Sequence, residues 1–323
     1  MAASRNSRKA DLPERVGQQL AARLSGAESL CVGLSGGCDS VVLLHILSRL
    51  PHQGRLSAIH VHHGLSPNAD AWADFCVRLC SSLEIPLFVH HVQVERHSGS
   101  GLEAAARQAR YVAFAEVDCD CLLLAQHRGD QAETLLFNLL RGTGVTGAAG
   151  MQVERPLGRQ RLLRPLLDTS RDEIECYAKD LGLDWVDDES NRDVALSRNF
   201  LRHEVLPVIA RQFPAAEAAL AQAAGNFAEA GALLDDLAQE DWGLAAEGGA
   251  ARLLALRQLS VPRLKNLLRY RLRQLGWRVP VAARLEEFAR QLQSAGPDRH
   301  PELVLPDGVM RAGRGLLCWL AQK

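Results

Sequence analysis

Lysine is scarce in this chain. Only four of the 37 basic residues are lysine (Lys9, Lys179, Lys265, Lys323), so its positive charge is almost entirely arginine. Arginine is permanently charged, and its planar fork suits phosphate better than proton-transfer chemistry. Aromatic residues make up 5 % of the chain, which argues against an aromatic base-stacking platform as its main binding device. No apolar run approaches the roughly 20 residues that span a bilayer. The first residues, Met1 to Val16, lack the apolar core of a signal peptide. A cytoplasmic protein with no membrane partner is therefore expected. None of the eight cysteines forms a Cys-x-x-Cys pair, and neither Cys76-x3-Cys80 nor Cys119-x-Cys121 has a usual zinc spacing. Cys31, Cys38 and Cys121 are expected to pack as small apolar groups. The net charge of -1 does not by itself predict a polyanionic partner.

The 323 residues suffice for two domains with sizeable cores. Unbroken apolar runs at 29–34, 56–62 and 121–125, with a β-rich stretch at 87–94, alternate with helical patterns. That order predicts a doubly wound, mainly parallel α/β sheet covered on both faces. Two short strands follow around Gly158. Next comes a helix at 170–181, opened by a Ser170–Glu173 capping box, and another at 198–213. Pro214 marks the expected boundary between a catalytic domain, 1–212, and a mainly helical second domain, 213–323. The second domain ends in β-like runs at 303–305 and 316–320. Charge is segregated there. Seven acidic residues occupy 215–249, and nine basic residues with no acidic one occupy 250–285. The basic stretch, with Arg263, Arg269 and Arg273 on one predicted helix, is expected to contact nucleic acid.

The strongest local signal is Ser35-Gly36-Gly37-Cys38-Asp39-Ser40, placed between an apolar strand and an apolar helix. Adjacent glycines let the backbone turn sharply and expose successive N–H groups to an anion. The helix N-terminus adds a favourable dipole, and Ser35 and Ser40 add hydroxyls. Asp39 is out of place in a pure anion site, but it suits one that also holds Mg²⁺ on a polyphosphate. No Gly-Lys-Ser/Thr or Gly-x-Gly-x-x-Gly is present, so neither a Walker A loop nor a dinucleotide fold is indicated.

Other candidates lie at strand C-termini, where open α/β sheets bind ligands. His62 and His63 follow the second apolar run, and His127 follows the fourth strand. Asp130 and Glu133 are three apart and share a helix face. They suit an ammonium group or proton transfer, although acidic residues at a helix start are also simply stabilising. Arg107 and Arg110 sit on an alanine-rich helix. Either they neutralise phosphate, or they form surface pairs such as Arg107 with Glu103.

In this order the segments resemble the PP-loop ATP pyrophosphatases, and within them the tRNA(Ile)-lysidine synthetase family. The resemblance rests on Ser35 to Ser40, Val61-His62-His63-Gly64-Leu65-Ser66-Pro67-Asn68-Ala69-Asp70, Gly101 to Tyr111, Ala125 to Thr134, Arg141-Gly142-Thr143-Gly144 and Asp188-Glu189-Ser190-Asn191. Arg198-Asn199 and Arg202-His203-Glu204 follow. The match covers most of 28–212. Beyond Pro214 it is one of helical character and not of motifs.

The resemblance implies that ATP and Mg²⁺ are used, with Ser35, Gly36, Gly37, Cys38, Asp39, Ser40 and His62 binding the nucleotide and Asp39 the metal. It implies catalytic roles for Asp39, Arg107, Arg110, Asp130 and Glu133. Substrate contacts are expected from Asp130, Glu133, Arg198, Arg202, Arg263, Arg269 and Arg273. The partners implied are an isoleucine tRNA with a CAU anticodon and free L-lysine; the sequence leaves the oligomeric state open, with a homodimer one alternative. The reaction implied is adenylation of the wobble cytidine, followed by attack of the lysine amine at C2. Two rivals stand beside it. A PP-loop tRNA thiolase would need the missing cysteine pair. A tRNA-binding protein with a regulatory nucleotide site would not release pyrophosphate in response to both tRNA and lysine.

Overall fold

The computed structural model describes residues 12–51, 54–94, 102–296 and 299–322. It forms two compact units, Met1–Phe227 and Ala228–Lys323.

Unit 1 is built on a six-stranded sheet. Its elements are α1 (Leu12–Ala21), β1 (Leu30–Gly33), α2 (Cys38–Arg49), β2 (Leu56–His62), α3 (Ala69–Ser82), β3 (Leu87–His91), α4 (Leu102–Ala115), β4 (Cys121–Leu123) and α5 (Arg128–Leu140). They continue through α6 (Val145–Ala148), β5 (Glu154–Leu157), β6 (Gln160–Leu163) and α7 (Arg171–Asp180). The strand order is β3-β2-β1-β4-β6-β5. All neighbours run parallel except β5, which returns antiparallel along β6 and closes one edge.

The apolar strands divide their side chains between two faces, as the period of 2 requires. Leu30, Val32, Cys121, Leu123 and Leu163 pack against α1, α2, α3 and α7 in one buried cluster. Cys31, Ile59, Leu122 and Leu162 point the other way, against Ala113 and Phe114 of α4. Both faces are covered, so the runs read as continuous apolar sequence and not as alternation. Cys31, Cys38 and Cys121 are buried free thiols.

The chain leaves β1 toward β2 and β3, then returns to place β4 on the other side of β1. The strand order therefore switches between β1 and β4. Ligands of open α/β sheets bind in the crevice at such a switch, beyond the strand C-termini. The PP-loop candidate follows β1, and α5 follows β4.

The 198–213 segment is helical but not uniform. It runs as α8 (Ser197–Phe200), a π turn at Leu201–Val205, and α9 (Leu206–Gln212). Pro207 opens α9 and has no N–H to bond back into the preceding turn. The widened turn carries Arg202. Such turns often occur at functional sites.

Helix α10 (Ala216–Ala245) begins in unit 1 and ends in unit 2. The rest of unit 2 is β7 (Ala246–Glu247), β8 (Ala250–Arg252), α11 (Leu253–Leu256), α12 (Val261–Gln274), α13 (Ala282–Ser294), β9 (Glu302–Leu305), β10 (Gly308–Gly313) and β11 (Leu316–Ala321). Leu264, Leu267, Leu268 and Leu272 of α12 and Leu285, Phe288 and Leu292 of α13 share one core with Met310 and Leu317. Unit 2 thus holds a five-stranded antiparallel sheet, β7-β8-β11-β10-β9, where composition shows two short β-like runs. Strand β10 is bounded by glycines and carries Arg311, so it resembles a loop in composition. In the sheet Met310 and Ala312 face inward, and Arg311 pairs with Glu302 on β9.

Candidate active site

The PP-loop turn folds on its own polar groups. Gly36 has φ +87°, a conformation natural only to glycine. A side chain there would also meet Cys76 Sγ at 3.3 Å and Val186 Cγ2 at 3.4 Å. Ser40 Oγ accepts from the Ser35 N–H at 3.2 Å and donates to the Gly37 carbonyl at 2.9 Å. The Gly37 N–H donates to Ser35 Oγ at 3.3 Å. Both serines therefore brace the loop. Gly37 caps α2 with no side-chain hydrogen bond. The N–H groups of Cys38, Asp39 and Ser40 thus lie in a first turn without intrahelical partners, as an anion cradle requires. Cys38 is buried, and burial, with a further push from Asp39, raises its thiol to about 11. It is a packing residue, not a nucleophile.

Asp39 leaves the first turn of α2 toward the switch point. Its Oδ2 accepts from Arg171 Nη1 at 3.1 Å, while its Oδ1 is buried with no hydrogen-bond partner. Burial raises the Asp39 carboxyl above its ordinary value, against the lowering effects of His127 and Arg171. A buried carboxylate oxygen without a donor is a costly arrangement unless a cation completes it. Arg171, the first residue of α7, also reaches Glu175 at 3.1 Å, and Glu175 in turn accepts from Lys179. The expected Ser170–Glu173 capping box forms and fixes the start of α7.

His127 connects the two sides of the switch. Its backbone N–H donates to Asp130 Oδ2 at 3.0 Å, and its Nδ1 accepts from the Gly129 N–H at 3.0 Å. Because Nδ1 is the acceptor, the ring proton of the neutral imidazole sits on Nε2. Nε2 lies 3.7 Å from Asp130 Oδ2 and 4.0 Å from Asp39 Oδ2. One buried imidazole therefore faces a carboxylate from each loop. Sequence position alone marked His127 as being on the active edge. Its bridging role depends on the capping geometry.

Asp130 and Glu133 do share a face of α5, and Arg202 joins them. Its Nε donates to Glu133 Oε1 at 2.6 Å, and its Nη2 donates to Glu133 Oε2 at 3.0 Å and Asp130 Oδ1 at 2.8 Å. Burial pushes the Glu133 carboxyl up, and the hydrogen bond and charge of Arg202 offset part of that rise. A cation thus already sits where the sequence reading places a substrate ammonium group.

The structure separates Arg107 from Arg110. Arg107 lies over the Tyr111 ring, 5.0 Å from its centroid, while Arg110 Nε donates to His63 Nε2 at 3.3 Å. Burial and Arg110 together hold the His63 imidazole down at about 4. Glu103, the expected partner of Arg107, has its side chain outside the described residues. His62 ends β2, where its Nε2 meets Asp70 Oδ1 at 2.9 Å and its ring packs on His91. Arg198 lies 5.9 Å from the Phe137 ring centroid.

In unit 2, Arg263 grips Asp241 with two nitrogens, Arg273 bonds Asp235, and Lys265 bonds Glu286. The acidic residues of α10 thus neutralise part of the basic stretch. Arg269 forms no ion pair among the described residues. Also among the described residues, no helix is long and apolar enough to cross a membrane.

The sequence matches the family described as a PP-loop domain over residues 10–209 and the one described as a TilS substrate binding domain over residues 252–318. It is 50 % identical over 293 residues to the tRNA(Ile)-lysidine synthase of Aromatoleum aromaticum, covering 90 % of this chain and 68 % of that protein. It is 46 % identical to the enzyme of that name from Alkalilimnicola ehrlichii, covering 94 % and 68 %. For the Nitrosomonas europaea enzyme the identity is 42 %, covering 99 % and 71 %. The U34-tRNA thiolase NcsA of Methanococcus maripaludis, solved with its [4Fe-4S] cluster, superposes with a TM-score of 0.56 at 19 % identity. That superposition covers 69 % of this chain and 80 % of the thiolase, and the likeness is one of fold.

Proposed function

Because the chain belongs to the tRNA(Ile)-lysidine synthase family, we propose that it ligates free lysine to C2 of the wobble cytidine of an isoleucine tRNA with a CAU anticodon. ATP is consumed, and AMP and pyrophosphate are released. The observation that carries this reading is the bridge at the switch point, where His127 faces Asp39 of the PP-loop and Asp130 of the acid pair. That adjacency supports a phosphate cradle working beside an amine-binding pair.

A carbonyl oxygen is a poor leaving group, and AMP is a better one. The cytidine O2 attacks the α-phosphorus of ATP, and pyrophosphate departs. The lysine ε-amine then attacks C2, and the original oxygen leaves with AMP. The N–H groups of Cys38, Asp39 and Ser40 bind and orient phosphate oxygens. Asp130 and Glu133 receive the lysine ammonium in place of Arg202. Raised proton affinity at Glu133 suits removal of a proton from that ammonium before attack.

The donor set fits Mg²⁺, which takes one or two carboxylates and completes its shell with phosphate oxygens and water. Asp39 would hold it through the unpartnered Oδ1. Bound there, it would neutralise charge on the departing pyrophosphate.

The deciding experiment is mass analysis of tRNA after incubation with ATP and lysine. A gain equal to lysine less one water, dependent on both small molecules, is the expected result. Nucleotide binding with neither that gain nor pyrophosphate release would favour a regulatory nucleotide site.

A further inference from the structure

Unit 1 carries a second cationic cluster, of which only Arg107 has a role expected from the family. Arg164 follows β6 and is 3 % exposed, so a permanent charge lies almost fully inside the protein. Its Nε donates to Gln126 Oε1 and its Nη1 to the Gln152 carbonyl, both at 2.7 Å. These partners are neutral. Arg107 of α4 and Arg155 of β5 both lie over the Tyr111 ring, each 5.0 Å from its centroid. Arg107 Nη2 also lies 3.4 Å from the Tyr111 hydroxyl. Among the described residues, none of the three guanidiniums has a carboxylate within ion-pair distance. Glu154, beside Arg155 in sequence, is taken by Arg161.

Buried charge without a counter-charge is expensive, and three like charges around one phenol repel one another. Burial works to raise the Tyr111 hydroxyl, but the charges of Arg107, Arg164 and Arg155 outweigh it and bring it below its ordinary value. The cluster stands on the functional edge of the sheet. Arg164 follows the C-terminus of β6, and its partner Gln126 immediately precedes His127. Strand β6 is two places from β1 in the sheet, so the cluster is displaced from the PP-loop by roughly 10 Å along the sheet.

We propose that Arg107, Tyr111, Arg155 and Arg164 form a phosphate-binding site on the active edge, distinct from the PP-loop cradle. The donors come from a helix, an edge strand and a strand terminus. They can therefore approach a tetrahedral anion from several sides, and their charge suits a dianion better than a single carboxylate. The phosphate belongs either to the pyrophosphate end of ATP or to the tRNA backbone.

Arg155→Gln tests this. The side chain is half-buried on an edge strand, so the variant should fold. Three titrations on the full chain are compared with wild type: inorganic pyrophosphate, tRNA across a salt series, and lysine by saturation of AMP release. The first two read binding alone, so they stand even where no lysidine is made. A roughly tenfold loss of pyrophosphate affinity places the nucleotide's phosphate at the site. Weaker tRNA binding with a salt slope smaller by about one unit, and unchanged pyrophosphate affinity, places the tRNA backbone there. An effect confined to lysine would assign the cluster to a carboxylate and overturn the proposal, as would wild-type behaviour in all three. Tyrosine absorbance gives a second readout. With Tyr111→Phe as the blank, bound pyrophosphate or tRNA should shift the Tyr111 titration upward, and a curve that neither moves counts against the site.

Discussion

Arg202 holds Glu133 with two nitrogens, Nε to Oε1 at 2.6 Å and Nη2 to Oε2 at 3.0 Å. The buried carboxylate that the amine reading needs is thus met by a guanidinium from the π turn at Leu201–Val205, which offsets part of the rise that burial imposes on it. This pairing separates a substrate role from a purely structural one. Glu133→Gln should raise the lysine concentration for half-saturation about tenfold or more, given the strength of hydrogen bonds to charged groups. ATP affinity should stay within about twofold. Lysine-dependent AMP release and an ATP titration read the two quantities. Unchanged lysine saturation would leave the Arg202–Glu133 pair a structural brace only.

Asp39→Asn should abolish AMP and pyrophosphate formation while the protein still folds. Asp39 Oδ1 has no protein partner to lose, and the amide oxygen can still accept from Arg171. Near-normal AMP output from this variant would remove the proposed metal role. Circular dichroism on the same sample distinguishes inactivity from unfolding.

Asp39 also makes a prediction about pH. Its folded carboxyl lies above the ordinary value of 3.8 because burial disfavours the charged form. A raised carboxyl favours the folded state below 3.8 and loses that contribution as pH rises through the folded value. The melting temperature of Asp39→Asn relative to wild type should therefore increase with pH from about 3.8 upward. A difference that stays flat, or falls, would mean that Arg171 and His127 compensate the burial fully.

In unit 2 the paired and unpaired arginines should behave differently. Asp241 is fully buried and its charge is met by Arg263. Arg263→Gln should therefore lower the melting temperature, because a buried carboxylate loses its counter-charge. Arg269→Gln should melt like wild type and reduce the salt slope of tRNA binding by about one unit. The opposite pattern would make Arg263 the RNA contact and Arg269 the structural residue.

What the sequence made legible follows from short-range physics. The apolar runs, the twin glycines and the Ser170–Glu173 box are local, and the strands, the PP-loop turn and the start of α7 appear as expected. The approach of Asp130 and Glu133 is also local, since residues three apart on a helix share a face. Their bond to Arg202 is not, because it depends on a π turn that helical periodicity does not register. The same holds for Arg171 on Asp39, and for Arg155 and Arg164 near Tyr111, which come together only once β4, β6 and β5 are adjacent. Reading charge along the chain also overstated the basic surface of unit 2. The carboxylates that neutralise Arg263 and Arg273 lie on α10, and Glu286, which meets Lys265, lies on α13, all outside the acid-free stretch.

The ion pair between Lys179 and Glu175 bears on self-modification. An adenylated cytidine is an electrophile, open to any neutral amine nearby. Lys179 is the one described lysine of unit 1, and its pairing with Glu175 raises its proton affinity. At the site itself, positive charge is supplied by Arg171 and Arg202, whose guanidiniums stay protonated and do not attack carbon. A site furnished in this way can hold phosphate and a reactive base together while, among the described residues, positive charge comes from arginine and not from amines. The lysine that captures the activated cytidine is then the one that enters from solution.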